Sequence, residues 1–337
     1  MAAALTVIDG ALRVAGLAAC GGIATAAWRL RRAMKASCDS ACASATMPPD
    51  AFAGKVVWIT GASSGIGREL ATQLARQGAR LILSARREAV LQEVAKELEP
   101  VLAKTGGDVR VLPLDLADVD SLPGRAKEAI ALFGGVDILV NNGGYTSRAL
   151  SRETVGTTEE INMMTVNFLS QVALAKAVVP AMRERKRGWI VNISSIAGKI
   201  GIPLRTMYCG SKHALHGWFD AFRAEEAGFW QSGIQVLTVC PGSVRTDVAK
   251  NAVTADGSKL GHSDPNIEGG LEASFVCDRI LASVHCSLDE IWIAKPQELR
   301  NAYFAQYLPS TTKRKISESA RAIVWGTMGE EFVKSRL

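Results

Sequence analysis

The chain lacks the cysteine pattern of a disulfide scaffold and of a zinc site. Its seven cysteines (Cys20, Cys38, Cys42, Cys209, Cys240, Cys277 and Cys286) are odd in number, scattered, and include no Cys-x-x-Cys. The four histidines are not spaced as ligand partners for them. Both a disulfide framework and a structural zinc are therefore argued against. A one-signed body is missing too. The chain has 39 basic and 33 acidic residues, a net +6, but residues 1–50 hold five basic against three acidic, and residues 311–337 six against three. The remainder is near +1, whereas a nucleic-acid binder would concentrate basic residues on its folded domain, so no nucleic-acid partner is expected. No repeat of about 20–50 residues is visible, which removes solenoids.

A long apolar run is also wanting. Residues 14–28 carry no charge, and Arg29, Arg31, Arg32 and Lys35 follow at once. Fifteen helical residues reach about 22 Å, short of the roughly 30 Å of a hydrocarbon layer. Starting at Ala11 lengthens the span if Arg13 snorkels, and Asp9 stops it there. Three readings compete: a short membrane anchor over residues 11–35, an Ala- and Arg-rich organelle presequence, or a leader outside the fold. The first is the expectation; a cleaved secretory signal would place its positive charges before the apolar run. Residues 36–53, rich in Ser, Ala and Cys and holding Pro48-Pro49, are expected to be a linker.

What is present is a chain of 337 residues, 48% hydrophobic and 21% charged, enough for a large core and too apolar for disorder. From Lys55 onward short β-rich runs alternate with helical stretches. Strands are predicted at 55–60, 81–84, 109–114, 136–140, 189–193 and 234–239, with a seventh from Ile291. Helices are predicted at 65–77, 88–102, 119–133, 159–185 and 206–229. Nearly continuous apolar strands alternating with helices mean a parallel sheet covered on both faces, a doubly wound α/β domain over residues 54–295. Residues 296–337 form a carboxy-terminal extension.

Directly between the first strand and first helix lies Thr60-Gly61-Ala62-Ser63-Ser64-Gly65-Ile66-Gly67. Glycines there allow a tight turn and close approach of backbone to a diphosphate, and the helix start offers free N–H groups and a positive dipole end. Elsewhere Asn141-Asn142-Gly143-Gly144 ends the fourth strand and Ser194-Ser195 the fifth. Tyr208-Cys209-Gly210-Ser211-Lys212 falls on a helix, and Pro241-Gly242-Ser243-Val244-Arg245-Thr246 follows the sixth strand. These segments resemble, in order and over about 240 residues, the landmarks of the short-chain dehydrogenase/reductase family. Its loop is TGxxxGIG, its helix motif YxxxK, and its fourth-strand turn NNAG, with one glycine here in place of the alanine.

That resemblance implies a Rossmann-type fold, a nicotinamide dinucleotide and carbonyl–alcohol interconversion. Residues Gly61, Ser63, Ser64, Gly65, Ile66, Gly67, Asn142, Gly143, Pro241, Gly242 and Val244 would then bind the cofactor. Asp115 would lie beside the adenine, and Thr246 would hold the carboxamide. Tyr208 and Lys212, four apart, share a helix face, and both would touch cofactor. A tyrosine has a pKa of about 10, and a neighbouring ammonium is expected to lower it toward use as a general acid and base. Ser195 would hydrogen-bond the substrate oxygen beside Tyr208, and the resemblance picks it over Ser194 by its spacing to the tyrosine. Asn167 would support a relay to the lysine. His213 and His216 read as packing or surface residues, and Asp220, Glu225 and Glu226 as a solvated helix face.

At the end of the second strand the chain reads Ser84-Ala85-Arg86-Arg87. An acidic residue at that point holds a ribose 2′-hydroxyl, whereas arginines accommodate a 2′-phosphate. Cations at a helix start oppose its dipole, so Arg86 and Arg87 point to an anionic ligand and to NADP(H). At finer grain the chain is similar to the member-seven subgroup of the family, near the 11β-hydroxysteroid dehydrogenases, through VVWITGASSGIG, LILSARR, VLPLDL and YCGSKHALHGWF. This implies an apolar substrate such as a steroid or retinoid, an endoplasmic reticulum membrane location and a possible homodimer. A non-turnover dinucleotide sensor and a mitochondrial enzyme of acyl substrates are the alternatives. Residues 247–270, polar and Gly-rich, read as a lid. Trp292, Tyr303, Phe304, Tyr307 and Leu308 either cap the core or form an apolar mouth beside a membrane.

Overall fold

The structure, a computed structural model, describes residue 25, residues 28–29, 31–154, 156–229 and 232–328. Most of the expected anchor over residues 11–35 lies outside the described residues. Seven parallel strands form one sheet in the order β3-β2-β1-β4-β5-β6-β7. They are β1 Val56–Thr60, β2 Arg80–Ser84, β3 Asp108–Val111, β4 Ile138–Asn141, β5 Gly188–Ile193, β6 Ile234–Pro241 and β7 Glu290–Ile293. Alternation along β1 feeds two separate cores. Val57 and Ile59 pack under α1 (Gly65–Arg76), α2 (Glu88–Thr105) and a late helix, Ala273–His285. Val56 and Trp58 pack under α3 (Leu122–Phe133), α4 (Thr158–Glu184) and α5 (Thr206–Gly228). A side-chain period of two thus serves both faces, which is why the strands are apolar throughout. The Trp58 indole donates to Ser84 Oγ at 2.9 Å, and that hydroxyl donates to Leu112 O at 2.6 Å, tying β1 to β2 and the chain beyond β3.

Helix α4 is long and apolar enough to cross a membrane, yet Leu174, Ala175, Val178 and Met182 are buried against the sheet. It is a core helix. Its five-residue stretch Thr165–Leu169 is π-helical. The third strand ends at Val111 rather than Leu114, although Leu112 N and Leu114 N still donate to Leu83 O and Ala85 O. The next helix opens with a 3-10 turn at Val119–Ser121, with Pro123 in its first turn.

Residues 37–53 are not a free linker. Cys38 pairs antiparallel with Ile293, Asp39 N donates to Trp292 O at 2.8 Å, and Asp39 Oδ2 accepts from Trp292 N at 2.6 Å. Cys38, Cys42 and Phe52 are buried in the core of the first sheet face. The segment covers the backbone of the edge strand β7, which would otherwise be an open pairing surface. The carboxy-terminal extension is equally integrated. After a four-residue helix, α6 (Pro265–Glu268), and α7 (Ala273–His285), helix α8 (Pro296–Tyr307) packs Leu299 and Ala302 on Ile196, Cys240 and Ala294. Glu298 of α8 accepts from Ser243 N at 3.1 Å and Ser243 Oγ at 2.6 Å, bracing the loop after β6. Helix α9 spans Pro309–Met328.

Sheet order reverses between β1 and β4, so their carboxyl ends diverge and leave a crevice.

Candidate functional site

At that crevice the structure opens a cleft of about 1090 Å³. One wall of it is the loop between β1 and α1. Gly61 and Gly65 have φ of 66° and 55°, a region that side chains disfavour. A Cβ on Gly61 would come within 2.8 Å of Asn142 Nδ2 and of Gly143 Cα. The loop is held by the turn after β4: Thr60 Oγ1 accepts from Asn142 N and Gly143 N, both at 3.0 Å, and Asn142 Nδ2 donates to Thr60 O at 2.9 Å. Ser64 caps α1 without a side-chain hydrogen bond, leaving the first-turn N–H groups to an acceptor in the cleft. These features fit a dinucleotide diphosphate.

Of the residues expected on the cofactor, all but Gly67 line the cleft. Gly67 is a packing glycine instead, because a Cβ there would lie 2.5 Å from both Asn142 Nδ2 and Gly61 O. Gly242 lines the cleft, but the room it leaves is taken by Glu298, whose Oε2 would be 2.3 Å from a Cβ. The glycine at 143, in place of the family's alanine, faces Leu116, whose Cδ1 would be 2.4 Å from an added Cβ. Arg86 and Arg87 are exposed on the cleft wall, with Arg87 Nη2 3.4 Å from Ser63 Oγ. Asp115 is exposed beside them and accepts from Ala117 N at 3.0 Å.

The other wall brings together Ser195, Tyr208 and Lys212, with Asn167 buried behind it. The π-helical turn of α4 widens the helix around Asn167, a device often found at functional sites. Asn167 is fully buried; its Oδ1 accepts from Tyr145 N at 3.0 Å, and its Nδ2 donates to Tyr145 O at 2.9 Å and Ser211 Oγ at 3.1 Å. Position 144 must be glycine for this, since a Cβ would lie 2.8 Å from Asn167 Oδ1. The buried Lys212 donates from Nζ to Ile193 O at 2.8 Å and sits 5.8 Å from the Tyr208 ring centre. Burial pulls its pKa down to about 8.

Tyr208 departs from expectation. Burial pushes its phenol up rather than down, and what opposes burial is a hydrogen bond with Ser195 and the charges of Arg205 and Arg148. Lys212 binds a backbone carbonyl instead, so the electropositive partners of the phenol are arginines that sequence reasoning overlooked. Arg205 stands three residues before Tyr208, a spacing that could have flagged it; Arg148 carries no local signal. Ser194 and Ser195 diverge: Ser195 Oγ accepts from Ala197 N at 3.1 Å, while Ser194 Oγ lies 3.0 Å from His216 Nε2. Buried His216 also faces Glu290 and Cys240, so its packing role is a polar one. Hydrogen bonds from His216, Lys199 and Trp292 outweigh burial and hold Glu290 at a pKa of about 2. Glu226 corrects the expected solvated face: it is buried and paired with Arg183.

The loop between β6 and α7 closes over the cleft. Val253 N donates to Thr146 O at 2.9 Å, Arg148 N donates to Val253 O at 2.8 Å, and Arg148 Nη2 donates to Asp264 Oδ2 at 2.8 Å. Ile316 and Ser319 of α9 reach the same wall. Trp292 and Tyr303 cap the core with rings 4.9 Å apart, whereas Phe304, Tyr307 and Leu308 are exposed. The core-capping reading of that aromatic tail holds for Trp292 and Tyr303.

Against known proteins, the family model for short chain dehydrogenase matches residues 55–257. Human "Dehydrogenase/reductase SDR family member 7" is 40% identical over 255 residues, covering 76% of this chain and 74% of that protein. A metagenomic short-chain oxidoreductase solved in complex with NADP matches with TM-score 0.58 and 29% identity, over 72% of this chain and 97% of that one. A Burkholderia phymatum short chain dehydrogenase/reductase in complex with NAD shares the fold, with TM-score 0.66 and 22% identity over 76% and 94%.

Proposed function

The chain belongs to the short-chain dehydrogenase family, and from that premise we propose that it is an NADP(H)-dependent oxidoreductase interconverting a carbonyl and a secondary alcohol on an apolar small molecule. The observation that carries this reading is the convergence of Tyr208, Ser195 and Lys212 on the cleft wall facing the glycine loop. When bound, the nicotinamide supplies or accepts the hydride. Everything else falls to the chain. Ser195, which shares the cleft wall with Tyr208, orients the substrate oxygen, and the phenol O–H gives that oxygen its proton in the reductive direction. A largely reduced cytosolic NADPH pool would favour the reductive direction. Lys212 and Asn167, both buried and fixed by backbone groups, position the proton route behind the tyrosine.

Arg86 and Arg87, with Ala85 in place of an acid, support the phosphorylated cofactor. Exposed Phe304, Tyr307 and Leu308 support docking beside a membrane, with residues 11–35 as anchor in the endoplasmic reticulum. Exposed Ile161 and Leu169 on α4 support pairing of two copies. NADPH oxidation is to be followed with steroid ketones, retinal, quinones and small aldehydes, for wild type and Tyr208→Phe. Turnover lost in the variant while NADPH still binds is expected; wild-type turnover in the variant overturns the mechanism. NADPH binding without turnover would make the chain a sensor. Fractionation of cells expressing the full chain, with and without residues 1–46, tests the anchor; import and cleavage in mitochondria would overturn it.

A further inference from the structure

Beside Tyr208 two guanidinium groups share one carboxylate. Arg148, its side chain 4% exposed, donates to Ser147 O at 2.9 Å and to Asp264 Oδ2 at 2.8 Å. Arg205 reaches the same oxygen only at 3.7 Å, and its guanidinium has no hydrogen-bond acceptor among the described residues. Three-quarters or more of this side chain is out of water, yet it lines the cleft. A desolvated guanidinium with five donors and one distant ion pair is an expensive arrangement. Burial and the Arg148 charge both act against the Arg205 cation.

The acids along this part of the cleft are already committed. Asp247 pairs with Lys250 at 2.8 Å, and Glu298 accepts from Ser243 and from Lys295 N. Lys259 adds a further cation to the wall. Ile200, Ile202, Pro203 and Ile316 supply apolar lining to the same cleft. A partly apolar cleft with one desolvated, under-satisfied cation on the wall that carries Tyr208 has the chemistry of an amphiphile's site.

We propose that the substrate end of the cleft binds an anionic oxygen group, a carboxylate or a phosphate, through Arg205 backed by Arg148, so that the substrate is an apolar carbonyl compound with one acidic end. This rests on the carbonyl–alcohol reading above and narrows it. Arg205 is a specificity-determining residue, and the anion completes the hydrogen bonding that Asp264 leaves open.

The test uses the full chain with NADPH and with NADH, and three probes: benzoylpropionate, its methyl ester and benzoylpropyl phosphate. Turnover and equilibrium binding to the cofactor complex are measured side by side. One or both anions are expected to bind about tenfold more tightly than the ester, as a KM or Kd about tenfold lower. Arg205→Gln brings that ratio to about one, and Arg205→Lys keeps part of it. Which anion is preferred decides between carboxylate and phosphate. Equal binding of ester and anions, no binding of either anion, or an equal loss for ester and anion in Arg205→Gln overturns the proposal. The wild-type ratio decides alone if the variant fails to fold. Anion-selective binding without turnover leaves the subsite standing and removes the oxidoreductase reading; unselective turnover does the reverse.

Discussion

Each end of the cleft carries a pair of arginines, and the two pairs come about differently. Arg86 and Arg87 are neighbours in the chain, exposed, and set by one strand–turn–helix unit. Arg148 and Arg205 come from the segment after β4 and the cap of α5, and they meet only because Asp264, from a third segment, lies between them. The first pair is cheap to hold, since water solvates it until a ligand arrives. The second is desolvated and needs a carboxylate to exist there at all. The adenine end is therefore a local motif, and the substrate end is an assembly of distant parts.

If the ends divide the work this way, variants must separate them. The largest effect belongs to the substrate end: Tyr208→Phe is expected to lower kcat by about 10³-fold, with NADPH titration by fluorescence still saturating. Next, Arg86→Ala with Arg87→Ala should cut the NADPH-over-NADH preference in kcat/KM by about 10²-fold; an unchanged preference would break the assignment of that end. Third, Gly67→Ala forces a Cβ to within 2.5 Å of Gly61 O. A loss of about 1–3 kcal/mol in denaturant unfolding is expected, with weaker dinucleotide binding.

The smallest effect is a gain. Burial lowers the Lys212 pKa from 10.5 to about 8, so between those values the unfolded chain binds the proton that the folded chain has lost. Stability then rises with pH across that window, and the burial penalty is fully present below about pH 8. Lys212→Met should remove activity yet raise stability by about 1–2 kcal/mol near neutral pH. The gain should vanish as pH approaches 10.5, read by Tm across a pH series. A variant less stable than wild type at pH 7 would show that the Ile193 carbonyl, not the charge, dominates.

Sequence legibility follows the same division. Gly61, Gly65, Tyr208 and Lys212 were readable because their meaning lies in spacing along one loop or one helix. The two-faced burial of β1 was readable because strand periodicity is local. Residues 36–53 read as a linker because their Ser, Ala and Pro content matches a loop, whereas Asp39 finds its partners on Trp292, 253 residues away. Glu226 reads as solvated for a similar reason: its partner Arg183 sits on another helix. The sign of the Tyr208 shift also turned on surroundings. A tyrosine four residues from a lysine suggests a lowered phenol, but the lysine is turned to Ile193 O and burial dominates.

By itself the sequence determined the α/β alternation, the glycine loop, the tyrosine–lysine helix and the basic pair after the second strand. Backbone conformation and neighbour spacing express these, and both are set within a few residues. Only the tertiary structure decided that Gly67 and Gly242 serve packing, that the amino-terminal segment covers the β7 edge, and that Arg148, Arg205 and Asp264 form one charge cluster. Desolvation and charge pairing depend on which distant segments meet, and no spacing along the chain records that.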